Sequence, residues 1–183
     1  MRTTQRLSLA LGVVVALLFG VMTTPAHAVS SSTQGFSATE LAQIFKMHPG
    51  AKKIDSNTIE VEPGVILAGP TGSDSGVNAA YCEYKYLCLW QYAYYGGASY
   101  RFFNCGTVAM VDFPFPSGGN WSNTISSLVN NQTAGTISYF WDDTNKTIYL
   151  GQQHSYGYRD NLSLDSAASG GNWDNRISMI QVC

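Results

Sequence analysis

The sequence predicts an all-β fold, built from a duplicated strand-and-loop unit and preceded by a short helix and a β-hairpin. Three observations point there. The first is an internal repeat. Residues 117–126 read SGGNWSNTIS and residues 169–178 read SGGNWDNRIS, identical at eight of ten positions at an offset of 52. A repeated segment implies two similar supersecondary elements packed together. The second is the pattern of residues 81–183, where short apolar runs alternate with glycine-rich turns. Many short strands between such turns make a β-sandwich or barrel. The third is an even number of cysteines, four, all within the last 102 residues.

Composition excludes several function classes. Charged residues make up 12% of the chain and aromatics 13%, with a net charge of −2. An average domain carries roughly 25% charged residues. Ten scattered Lys and Arg cannot form the basic patch that nucleic acid requires. Disorder needs high charge and few aromatics, the opposite of this chain.

From the N-terminus, Arg2 and Arg6 precede an apolar, uncharged run over residues 7–22, and Ala26-His27-Ala28 is a small-x-small cleavage site. This reads as a signal peptide over residues 1–28, so the chain is expected to be secreted and extracellular. The run is short for a membrane anchor, and no membrane span is expected in the mature form. Its removal leaves 8 basic against 12 acidic residues. Residues 29–34 form a Ser-rich leader. Ser37 and Glu40 fit a capping box, and Leu41, Ile44 and Phe45 share one helical face until His48-Pro49-Gly50. Residues 58–62 alternate, Pro63-Gly64 turns the chain, and Val65, Ile66 and Leu67 return it. Residues 29–80 are thus a helix–hairpin segment and linker. The segment is too small for a core of its own, so it packs on the following domain or acts as a pro-region. Residues 69–80 are linker by composition.

Within the domain at 81–183, residues 88–92 and 99–104 read as strands around Gly96-Gly97, followed by strands at 137–141, 147–150 and 177–182. In the repeat, Gly118-Gly119 and Gly170-Gly171 permit positive φ in tight loops. Trp121 and Trp173 can bury large apolar area at equivalent places. Asn123 and Asn175 can cap the loop backbone, and Ile125 and Ile177 start the following strands. Cys82, Cys88, Cys105 and Cys183 allow three pairings, of which Cys82–Cys88 with Cys105–Cys183 is favoured. A metal–thiolate site is the weaker reading, since no C-x2-C pair occurs and His48 and His154 lack ligand-like spacing to the cysteines.

The aromatic–x4–aromatic–x–Gly spacing of Trp90, Tyr95 and Gly97 resembles the opening of a βγ-crystallin motif. That superfamily has a double Greek-key fold. Its calcium signature, two Asn/Asp, two variable residues, Ser/Thr and Ser, resembles residues 122–127 and 174–179. The first copy departs with Ser122 and the second with Met179. By this resemblance Asn123, Ser126, Asp174, Asn175 and Ser178 are candidate calcium ligands. A hard ion takes hydroxyl and carbonyl oxygens, but with one carboxylate the binding is expected to be weak. Loop capping is the equal alternative. Tyr139, Phe140 and Trp141 supply aromatics for a second opening, but no Gly follows as Gly97 follows Tyr95. The chain is also similar to secreted actinobacterial proteins of the Streptomyces metalloproteinase inhibitor type, through Cys82-x5-Cys88-Leu89-Trp90 and Tyr95-Gly96-Gly97. This implies a non-enzymatic peptidase inhibitor acting on an extracellular metalloproteinase. The inhibitor's reactive loop is closed by a further Cys-x4-Cys pair, which has no counterpart here, so its reactive-site residues do not carry over.

Two other function classes compete. One is a calcium-binding structural module, or a cell-surface carbohydrate-binding module presenting Tyr81, Tyr84, Tyr86, Tyr92, Tyr94, Tyr95 and Tyr100. Alternation turns about half of those tyrosines inward. The other is an enzyme, for which His154-Ser155 and Asp142-Asp143 are the tempting pairs. No G-x-S-x-G or H-E-x-x-H accompanies them, and an ordinary surface histidine and a turn explain both.

Overall fold

The capping box forms as the sequence predicts. In the computed structural model, which describes residues 35–70 and 81–183, helix α1 spans Ala38–Met47. The Glu40 N–H donates to Ser37 Oγ (3.3 Å) and the Ser37 N–H donates to Glu40 Oε2 (2.7 Å). Two orphan donors of the first turn are thereby satisfied. Ile44 is buried, and Phe36 and Leu41 pack beside it. The expected signal peptide, the Ser-rich leader at 29–34 and residues 71–80 of the linker lie outside the described residues.

Three strands follow the helix: β1 (Lys52–Lys53), β2 (Thr58–Glu62) and β3 (Val65–Ala68). β2 and β3 form the hairpin read from the sequence, turning at Gly64 with φ of +78°. Ile59 and Val61 face the core at alternate positions. β3 then pairs antiparallel with β5 (Gly96–Phe102), placing Leu67 opposite Tyr100. The helix–hairpin segment therefore extends the sheet of residues 81–183 and shares its core.

The remaining strands are β4 (Leu87–Tyr92), β6 (Gly106–Ala109), β7 (Ser127–Asn130), β8 (Ile137–Trp141), β9 (Tyr149–His154), β10 (Gly157–Arg159) and β11 (Met179–Val182). One sheet has the order β1-β2-β3-β5-β4-β7-β10 and the other β6-β11-β8-β9. The first motif consists of β4, β5, β6 and β7, and the second of β8, β9, β10 and β11. In each motif the third strand leaves its own sheet for that of the other motif. β6 pairs with β11 and β10 with β7. This exchange makes the two-sheet, double Greek-key sandwich that the sequence predicts.

Between the sheets lies one core that includes Trp121, Trp173, Tyr100, Phe102, Phe140, Leu89, Ile125, Ile177 and Ile180. A smaller cluster on the outer face joins the Cys82–Cys88 disulfide to Trp90, with Tyr86, Tyr95 and Val129 against it. The second disulfide is Cys105–Cys183. Both bonds match the favoured pairing, and no described cysteine is free.

Three expectations shift. Ile125 and Ile177 do not start strands. They precede β7 and β11 by two residues, and their carbonyls accept N–H groups from the opposite repeated loop. β9 starts at Tyr149 rather than at residue 147, because the Asp143 carboxylate takes the N–H groups of Thr147 and Ile148. β5 starts at Gly96 rather than at residue 99, since Gly96 already pairs with Tyr92 across the hairpin.

Candidate functional site

The two repeated loops meet. Each opens with glycines at positive φ and continues to a non-glycine residue in the left-handed region, Asn123 (φ 59°) or Asn175 (φ 52°). Asn tolerates this region better than most L-residues. The Asn123 N–H donates to Ile177 O, and the Asn175 N–H donates to Ile125 O, each at 3.0 Å. The side chains repeat the exchange. Ser178 Oγ donates to Asn123 Oδ1 (2.8 Å), and Ser126 Oγ lies 3.5 Å from Asn175 Oδ1. Ser122 Oγ donates to Ser178 Oγ at 2.9 Å. Four of the five predicted calcium ligands thus form two pairs across the loops. The fifth, Asp174, accepts from Asn175 Nδ2 at 3.0 Å.

This donor set consists of hydroxyl and amide oxygens with a single carboxylate, chemistry that suits a hard cation held weakly. Ser126 and Ser178 are buried, whereas Asn123 and Asn175 are exposed. Among the described residues no cluster of three or more His, Cys, Asp or Glu could hold a metal ion. The same oxygens staple one motif to the other.

The motif opening at Trp90, Tyr95 and Gly97 forms a folded corner. The Trp90 and Tyr95 rings meet edge to face at 5.2 Å. Gly97 has φ of +77°, and a Cβ there would lie 2.7 Å from Gln91 Oε1 and 2.9 Å from Tyr92 Cδ2. Ser127 Oγ locks the corner by accepting the Tyr95 N–H and donating to Tyr92 O. Burial first, then the charges of Asp160 and Tyr158, push the Tyr95 phenol up to about 12.

The second motif has a counterpart that the sequence concealed. Trp90 pairs with Ser127, and Trp141 pairs with Met179, which lies 52 residues after Ser127. Trp141 therefore stands where Trp90 stands, and Tyr149 packs against it at 5.9 Å. Seven residues separate this aromatic pair, against four in the first motif. The longer spacing conceals it in the sequence, and the repeat offset of 52 applied to Trp90 lands on Asp142, one residue past Trp141.

The extra residues form an exposed loop at 142–148. Asp143 is its hub. Its Oδ1 accepts the N–H of Thr147 (2.9 Å) and of Ile148 (3.0 Å), and its Oδ2 accepts the Thr147 hydroxyl (2.5 Å). The Thr147 hydroxyl first, and then the Ile148 N–H, hold the Asp143 carboxyl below its ordinary value against an opposing desolvation. Asp142 pairs with Arg176 Nε at 2.8 Å. Lys146 Nζ sits 5.0 Å from the Trp141 ring centroid and 3.0 Å from Thr107 Oγ1. Loop tip residues Thr144, Asn145 and Lys146 face solvent.

Neither tempting catalytic pair is assembled as a pair. His154 Nε2 lies against Gln152 Nε2 (3.0 Å), while Ser155 Oγ accepts the Gly135 N–H (3.1 Å). Asp142 and Asp143 serve separate structural partners. Of the seven early tyrosines, Tyr100 is fully buried and Tyr86 and Tyr95 are half-buried. Tyr81, Tyr84, Tyr92 and Tyr94 are exposed.

Against known proteins, residues 77–151 match peptidase inhibitor family I36. The span covers the Cys82–Cys88 loop, the Trp90 corner and loop 142–148. Over that span the chain is similar to the peptidase inhibitor family that the resemblance named. Two solved chains of βγ-crystallin type are similar in structure. One comes from work on the evolution of the eye lens βγ-crystallin domain fold, with a TM-score of 0.42 and 13% identity, covering 64% of this chain and 96% of that chain. The other is Hahellin, a βγ-crystallin, with a TM-score of 0.39 and 18% identity, covering 55% of this chain and 92% of that chain. No curated protein matches significantly. The third-strand exchange between sheets is what defines the architecture of this chain.

Proposed function

We propose that the chain is a secreted, non-enzymatic inhibitor of an extracellular metalloproteinase, and that loop 142–148 is the element that contacts the enzyme. The observation that carries this reading is the bracing of that loop by Asp143. Three hydrogen bonds to one carboxylate tie Asp143 to Thr147 and Ile148 and close the loop at its base, and the tip is exposed. A loop already ordered in the free protein loses little conformational entropy on binding, so more of its contact energy appears as affinity. The family match over 77–151 includes the whole loop. Two disulfides suit an oxidising, extracellular setting.

The test is a titration against a thermolysin-like metalloproteinase and a serine proteinase. Inhibition of the metalloproteinase at micromolar protein, weakened by Asp143→Ala, is the expected result. Inhibition of the serine enzyme alone overturns the target class, and inhibition of neither overturns the function.

A second property, weak calcium binding, is favoured by the pairing of Ser126 with Asn175 and of Ser178 with Asn123. A ligand bound only to the native state raises stability by mass action. The melting temperature is therefore expected to be higher in millimolar calcium than in chelator. Equal values would leave the loops as staples alone.

A further inference from the structure

His48 is the one histidine of the described residues that is buried, and none of the preceding chemistry uses it. It caps the C-terminus of α1, its own N–H donating to Ile44 O. Its ring lies between three separate parts of the fold. Nδ1 is 3.2 Å from Glu62 Oε1 at the end of β2. Nε2 is 3.1 Å from the backbone carbonyl of Asp112, in the turn after β6. The ring face stacks on Phe113 at 5.5 Å.

Both ring nitrogens therefore face oxygen atoms that can only accept, once the Glu62 carboxylate is ionised. A neutral imidazole carries one N–H and one lone pair, whereas the imidazolium carries two N–H groups. Only the protonated ring satisfies both partners. In the neutral ring, one lone pair is turned against an oxygen lone pair at hydrogen-bond distance. The Asp112 carbonyl is fixed by the backbone, so the Glu62 contact is the one that gives way.

We propose that His48 is a proton-operated latch that fastens the N-terminal helix to the β-hairpin and to the first Greek-key motif. When protonated, it bridges α1, β2 and the turn at 110–112. When neutral, it keeps one bridge and releases the other, and α1 loosens on the body of the protein. The carboxylates around the latch favour the protonated ring, and the one cation opposes it. Glu62 on β2 is the charged acceptor. Asp112 adds a second carboxylate on the turn that supplies the carbonyl, and Lys46 on α1 is the nearby cation in the helix sequence. Tyr100 on β5, packed against Phe113, has its phenol pushed up by burial and by the Glu62 charge, and it stays neutral throughout. A cleft lined by Met47, His48, Pro49, Gly50, Val61, Glu62 and Pro63 lies alongside and gives water access to the Glu62 contact when it opens.

The experiment is hydrogen exchange of the intact protein, read by mass spectrometry as the protection of α1 relative to β4 at about pH 5 and about pH 8, the range in which a histidine commonly changes charge. Taking the ratio to β4 removes the intrinsic pH dependence of exchange. The wild-type ratio is expected to fall several-fold on going to the higher pH. Glu62→Gln is expected to flatten the response, because a neutral amide can donate to a neutral Nδ1 and its oxygen can accept from a protonated one. His48→Gln, which keeps a polar side chain but cannot titrate, is expected to remove the response. An unchanged wild-type ratio overturns the latch, as does a full response retained in both variants. Neither outcome depends on whether the chain inhibits a peptidase.

Discussion

At Gly151 a single missing side chain separates the two motifs. Leu89 pairs with Tyr100 in the first motif, and Phe140 pairs with Gly151 in the second. The Tyr100 ring meets Trp121 edge to face, whereas at Gly151 a Cβ would collide with the Trp173 ring. The polar ends differ accordingly. Trp173 Nε1 donates to Ser166 O (3.1 Å), but Trp121 Nε1 has no partner among the described residues, and the carbonyl of Pro114 is taken by the Tyr100 hydroxyl (3.4 Å). Gly151→Ala is expected to destabilise the fold by about 1–3 kcal/mol or more, as overpacked cores do, and to broaden the Trp173 signal in a tryptophan-resolved spectrum. The Tyr95 corner makes a pH prediction. An exposed tyrosine in the unfolded chain ionises near 10, while Tyr95 holds its proton to about 12. The folded form binds that proton more tightly. Its contribution is fully present below about pH 10 and is lost as the pH rises toward about 12. Denaturant titrations across that range should show the fall, and Tyr95→Phe should blunt it.

Elements differ in how far the sequence disclosed them. Helix α1 was legible to the residue, because Ser37, Glu40 and the Pro49-Gly50 stop are local signals. The hairpin β2–β3 was equally plain, since alternation and Pro63-Gly64 sit within a few residues. β6 and β10 were not legible. They are short, and each is a strand only because it borrows a partner from the other motif. The five candidate ligands were found, because their loops repeat in sequence, but their pairing across the loops is a tertiary fact. Loop 142–148 carried no motif at all. Its shape depends on Asp143 capturing two backbone N–H groups, which composition does not announce. Protonating Asp143 turns one of its oxygens from acceptor to donor and takes away the charge, which weakens the three hydrogen bonds that brace the loop. Its carboxyl lies below the unfolded value, so the bracing is complete above that value and is lost as the pH falls through the folded one. Asp143→Asn should reproduce the acid effect at neutral pH, seen as faster exchange of the Thr147 and Ile148 amides with β9 still protected.

Across the whole molecule, the two disulfides and the N-terminal segment make unequal contributions. Cys105–Cys183 spans 78 residues and Cys82–Cys88 spans 6. By loop-closure entropy, losing the first should cost about 4–5 kcal/mol and losing the second about 2 kcal/mol. Unfolding of the paired Cys→Ser variants in denaturant measures both, and equal losses would contradict the ranking. The segment 35–70 contributes Ile44, Ile59, Val61, Val65 and Leu67 to the common core. Each is worth about 1.5–3 kcal/mol when fully buried. A chain beginning at residue 81 would also expose the β5 edge to other molecules. Such a truncation is expected to melt far lower than the full chain and to aggregate.

The duplicated loop has a kinetic consequence. Two segments alike at eight of ten positions compete for two berths while the chain is folding, and the backbone hydrogen bonds they exchange are the same in either berth. What distinguishes the berths lies elsewhere in the sequence. One is shaped by the Tyr100 ring and the other by the bare backbone of Gly151, to which Arg159 adds a guanidinium 4.3 Å from the Trp173 centroid. Correct docking of either loop therefore waits on strands from well outside it, including a third strand lent by the other half. Such non-local order slows folding. The same asymmetry that looks like imperfect repetition is what tells the protein's first half from its second.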